Sequence, residues 1–132
     1  MQANGKRFLQ ILRDATLRPP PSVPRITTVR SVRLSGLPTR KTVGLTRYSD
    51  VSYLSAASHP EQRITFYSDL FDALSDEAAE GVVAHELAHA WLNEHVGPED
   101  SSEREAEADR LAREWGFGPE LDALDREAET VQ

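Results

Sequence analysis

The stretch Ser75-Asp-Glu-Ala-Ala-Glu-Gly-Val-Val-Ala-His-Glu-Leu-Ala-His-Ala-Trp-Leu-Asn-Glu-His95 decides the fold. Ser75 followed by Asp76 and Glu77 is an N-terminal helix signal, because a hydroxyl caps free amide protons and acids suit the positive helix end. Gly97-Pro98 ends the helix after about His95. Ala79, Val82, Val83, Ala84, Leu87, Ala88, Ala90, Trp91 and Leu92 surround the axis. A helix apolar on all sides belongs in the middle of a protein. Yet this one carries His85, Glu86 and His89, and ionisable groups on a buried helix are costly unless partnered.

The conflict is explained by chemistry. His85-Glu86-Leu87-Ala88-His89 reads H-E-x-x-H. On a helix the two histidines lie ~40° apart on one face, one turn from each other. Two imidazoles so placed can hold one Zn²⁺. Glu86 sits ~100° round from His85, flanking the same opening without binding the ion. It is placed as the general base for water activated by the metal.

A catalytic zinc needs a third protein ligand. His95 stands at the metzincin spacing from His85. The chain has Leu92 where metzincins turn the backbone, and Met1 is the only methionine, so no methionine turn can underlie the metal. On a continuing helix His95 points ~120° away from His89. The alternative is an acid on the next helix, which opens at Ser102-Glu-Arg-Glu105 in a capping-box pattern and runs to about Trp115. Ala108, Leu111, Ala112 and Trp115 define its inward face. Glu105 falls ~60° from that face's centre and Asp109 ~100° on the same flank, while Glu103 and Glu107 point away. The expected ligands are therefore His85, His89 and Glu105 on one catalytic Zn²⁺, with Asp109 one turn behind as support.

Working outward, residues 5–17 read as an amphipathic helix through Phe8, Leu9, Ile11, Leu12 and Ala15. Pro19 to Pro24 follow as a polyproline connector. Arg25 to Leu34, Lys41 to Tyr48, Val51 to Ala56 and Arg63 to Tyr67 read as strands. Asp69 to Leu74 is a short helix, and Pro119 to Glu129 a last, exposed one. The expected fold is α+β and zincin-like: a small, mostly antiparallel sheet packed on the buried active-site helix, then the ligand-bearing helix. Residues 1–24 form an N-terminal helix and basic Pro-rich arm; residues 25–132 form a single domain.

From Ile64 to His89 the chain resembles gluzincin-type zinc metallopeptidases of the prenyl-protease and HtpX kind. There a strand, a short helix and a His-Glu-x-x-His helix occur in this order. Glu105-Ala-Glu-Ala-Asp109 resembles that family's E-x-x-A-D segment, whose first Glu binds zinc and whose Asp supports the site. The two blocks are also similar to those of ImmA/IrrE-type proteases and soluble minigluzincins. The resemblance covers residues 62–116 and implies a peptidase, with Arg63 to Tyr67 as an edge strand above the zinc where a peptide joins by strand addition. The membrane segments of the prenyl-protease and HtpX proteins are absent here. Tyr48, Tyr53, His59 and Tyr67 are candidate oxyanion donors, with no basis for choosing one.

Composition narrows the rest. The 132 residues include no cysteine, which excludes disulfides and thiolate metal sites. No run approaches the roughly 20 apolar residues of a membrane helix, no signal peptide is evident, and the default location is cytoplasmic. Residues 1–47 hold ten Lys or Arg and one acid; residues 48–132 hold five Arg and twenty-one acids. The net charge of −7 thus hides a basic front and an acidic back. The expected partner is a peptide or protein substrate. The competing class is a zinc-containing regulatory or toxin–antitoxin-type module whose basic half contacts nucleic acid or an acidic protein. A third reading has residues 1–24 covering the cleft of a latent enzyme.

Overall fold

The structure, a computed structural model, describes residues 3–35, 49–53, 61–99 and 101–131. Helix α1 (Ala3–Thr16) precedes strands β1 (Val29–Ser35), β2 (Ser49–Tyr53) and β3 (Gln62–Tyr67). A single turn α2 (Ser68–Phe71) leads into α3 (Asp76–His95), followed by α4 (Ser102–Ala112), a π-helical turn (Arg113–Phe117) and α5 (Gly118–Val131). The expected strand at Lys41 to Tyr48 lies outside the described residues, as do Tyr48 and His59.

The α+β expectation holds, but the sheet is mixed. Its order is β1-β3-β2, with β1 parallel and β2 antiparallel to β3. Two corrections follow. The described sheet is not mostly antiparallel, and β3 is its central strand, not an edge. Strand propensity identifies a strand, whereas its neighbours are set by long-range pairing that local sequence does not encode. On the core face of β3, Ile64 and Phe66 are fully buried, as a period-2 strand requires.

The long helix forms where its sequence places it. Ser75 Oγ accepts from the Ala78 amide at 3.2 Å, the expected cap. Ala78, Ala79, Val82, Val83, Ala84, Leu87, Ala88, Ala90 and Leu92 are buried, so the helix is covered on nearly every side. At the far end, the Val96 and Gly97 amides both donate to Leu92 O, and Gly97 has φ +124°. That left-handed backbone is the kind a glycine adopts without a Cβ penalty, and it turns the chain back toward α4.

Helix α1 is part of the same core. Phe8, Ile11 and Ala15 are buried, and Phe8 forms an aromatic cluster with Phe66 and Phe71 at centroid distances of 5.3–5.6 Å. The basic front half meets the acidic helices directly. Arg7 donates to Asp76 at 2.8 Å and also to Leu74 O. Arg18 reaches Glu80 on α3 and Glu120 on α5 at 2.8 and 2.7 Å, donates to Gly116 O, and lies 3.8 Å over the Phe117 ring.

The last helix departs from expectation. α5 is not simply exposed: Leu121 and Ala123 are buried, and α5 packs along α3. The chain passes from α4 to α5 through Gly116 at φ +96°, so the Gly116-Phe-Gly-Pro119 break is a kink between two helices.

Candidate metal centre

α3 presents His85 and His89 one turn apart on the side facing α4. Their rings meet edge-on with centroids 4.7 Å apart, and their Nε2 atoms are 3.1 Å apart. Glu105 reaches across from α4: Oε2 lies 2.9 Å from His85 Nε2 and Oε1 lies 3.1 Å from His89 Nε2. Three potential ligand groups thus converge from two helices.

Their spacing suits a metal. A tetrahedral ion with ligands at ~2.0–2.1 Å holds them ~3.3 Å from one another, close to the separations found. The donor chemistry agrees: two imidazoles and a carboxylate gathered together are groups that a cation can bind once the imidazoles are neutral. Both histidines are largely buried, at 18% and 14% side-chain exposure, whereas Glu105 is 59% exposed and closes the site from the solvent side.

The electrostatics reflect this crowding. Burial pushes the His85 pKa down, but the Glu105 hydrogen bond and the charges of Glu86, Glu105 and Asp109 together carry it above the ordinary histidine value. Hydrogen bonds from His85 and His89 hold the Glu105 carboxyl well below the usual range, against the effect of its own partial burial.

Glu105 reaches this position because the helix start differs from expectation by one residue. The cap of α4 is Ser101, not Ser102: Ser101 Oγ accepts from the Arg104 amide at 3.1 Å. Glu105 therefore lies one place beyond the capping-box position and is free to face the histidines. Ser101 and Ser102 are equally good caps by residue type, so composition alone does not choose between them.

His95 does not join the cluster. It pairs with Glu94 at 3.0 Å and stacks on Trp91 at 4.3 Å. Asp109 sits one turn behind Glu105 and accepts from Arg113 Nε at 2.8 Å; Arg113 also reaches Asp122 and Asp125. Asp109 bears on His85 through its charge. Glu86 is half-buried on α3 beside His85, and its charge is among those that raise the His85 pKa.

The model for peptidase family M48 matches residues 25–101, more than half of the chain. The chain belongs to this family. M48 proteins are metallopeptidases that generally use zinc. The matched span contains the His85–His89 motif but stops before Glu105, so the third position rests on the geometry alone. No curated protein and no solved structure matches the chain. Among the described residues no helix is long and apolar enough to cross a membrane.

Gln62, Asn93 and Arg104 do not stand out in the sequence, yet they are hydrogen-bonded to one another between β3, α3 and the residue preceding Glu105. Gln62 is 1% and Arg104 2% exposed. The available signal was positional: Arg104, Ala108 and Ala112 form an i, i+4, i+8 stripe, the inward face of α4.

Proposed function

We propose that the protein is a zinc-dependent endopeptidase in which His85, His89 and Glu105 hold the cation and Glu86 is the general base. The observation that carries this reading is the approach of Glu105 on α4 to within 2.9–3.1 Å of the two histidines of buried α3, in a chain of the M48 family. A cation held there supplies Lewis acidity to the scissile carbonyl and makes water easier to deprotonate.

The chain's own residues supply the rest. Glu86 follows His85 directly on α3, so its carboxylate flanks the ligand face. From there it takes the proton of the attacking water and delivers it to the leaving amine. Asp109 adds negative charge behind the ligands. Among the described residues β3 has a strand on each side, so a peptide joining this sheet would not pair with β3 itself.

The competing readings gain no support. Two of the ten basic residues of the front half, Arg7 and Arg18, are engaged by acids of the same chain. Within α1, Arg7 contacts Asp76 and Leu74 O, and Phe8 packs on Phe66 and Phe71.

Glu86→Gln tests the reading. The variant is expected to keep wild-type zinc content and to lose peptide cleavage by roughly 10²–10⁴-fold. Cleavage at the wild-type rate with full zinc would sink the assignment of Glu86.

A further inference from the structure

Glu105 is the exposed member of the ligand set, and packing does not hold its side chain in place. Its position depends on the backbone of the first turn of α4. Two contacts fix that turn: the Ser101 cap and the residue just before Glu105. Arg104 is 2% exposed and runs back under the C-terminal end of α3. Its Nη1 donates to Gly97 O at 2.7 Å and lies 3.5 Å from Asn93 Oδ1. Asn93 in turn donates to Gln62 Oε1 at 3.0 Å, and Gln62 donates to Ala90 O and Thr28 Oγ1 at 3.0 and 2.9 Å. A polar chain, buried at Gln62 and Arg104 and partly buried at Asn93, thus runs from the head of β3, through the last turns of α3, to the residue adjoining Glu105.

The energetics argue against plain stabilisation. The nearest carboxylates are loosely placed, Glu107 at 3.7 Å and Glu99 at 4.0 Å. Among the described residues Arg104 Nε has no hydrogen-bond partner. Burying a guanidinium with such incomplete neutralisation is unfavourable compared with an apolar side chain of similar size. What an apolar side chain cannot do is grip the Gly97 carbonyl and Asn93 together, tying the end of α3 to the start of α4.

We infer that Arg104 is a positioning residue: by locking the first turn of α4 onto the end of α3, it sets how tightly Glu105 joins His85 and His89 on the cation. This rests on the reading of those three residues as metal ligands. Groups that orient a ligand characteristically change metal affinity ~10–100-fold when removed.

The test measures zinc affinity of the full chain by competition with a chromophoric chelator, with Co²⁺ absorption as a reporter of the ligand set. Arg104→Met is expected to weaken zinc ~10–100-fold and to move the Co²⁺ spectrum toward that of Glu105→Ala. Arg104→Lys, which keeps one donor for Gly97 O, is expected to recover part of the loss. Asn93→Ala removes a partner of Arg104 without touching α4 and shifts affinity the same way, so the inference stays open to refutation if Arg104→Met does not fold. Because Arg104 acts through Glu105, Arg104→Met/Glu105→Ala is expected to bind no more weakly than Glu105→Ala alone. Wild-type zinc affinity and Co²⁺ spectrum in folded Arg104→Met or Asn93→Ala, even with a lowered melting temperature, would overturn the inference. So would fully additive losses in the double variant. Wild-type affinity in Glu105→Ala would instead overturn the ligand assignment beneath it.

Discussion

On the proposed reading, the proton on His85 governs when the site can take a cation. Metal ligation needs neutral imidazole, so protons compete with metal. Burial opposes the charged form of His85, but Glu105, Glu86 and Asp109 outweigh it and raise the pKa. In the metal-free protein, protonated His85 contributes stability that is complete below its unfolded pKa and is lost as pH rises through the raised folded value. Metal binding has the opposite sign: affinity falls as pH falls, and the fall starts above the ordinary histidine pKa of ~6.5. The Glu105 carboxyl, held low by both histidines, stays ionised throughout. Zinc affinity is therefore expected to be still rising with pH above the ordinary histidine value of ~6.5; a plateau already reached below that value would contradict the coupling. At this scale much of the site was legible. H-E-x-x-H spacing put His85 and His89 together, and helical projection chose Glu105 over His95. Arg104 was not legible as a partner of α3, because its role depends on where Gly97 turns the chain.

Close approach of α3 and α5 depends on one missing side chain. A Cβ at Gly81 would lie 2.6 Å from Glu120 O and 2.9 Å from Glu120 C, backbone atoms that cannot swing aside. Gly81→Ala is expected to cost ~1–3 kcal/mol through overpacking, read as a lowered melting temperature. Gly118→Ala is the control, since nothing lies within 4 Å of its Cβ position; an equal loss there would refute the close-approach argument. This contact also shows why the elements were only partly legible. α3 announced itself by Ser75, its apolar run and Gly97. The buried side of α5 was concealed because its partner is a glycine and its own contribution includes the small Ala123, neither of which strengthens an amphipathic pattern. The sheet order was hidden for another reason: β1 and β3 pair in parallel across more than twenty-five intervening residues, a pairing set by the whole fold.

Across the whole molecule, the basic front and acidic back meet within one packed unit. Arg7 ties α1 to the start of α3, and Arg18 bridges Glu80 and Glu120 where α3 and α5 run together. The charge asymmetry that suggested an outside partner is thus partly spent on internal contacts. The sheet, α1 and α5 enclose α3, and α4 returns across its histidine face to bring in Glu105. On the proposed reading, the core of this M48 chain buries an ionisable helix and leaves one carboxylate to complete a cation site. The most direct test of that claim is the zinc content of wild type, Glu105→Ala and His95→Ala after metal loading and desalting. The account predicts one zinc per chain in wild type and in His95→Ala, with a marked loss in Glu105→Ala. Zinc retained by Glu105→Ala but lost from His95→Ala, or no zinc held by wild type, would contradict it.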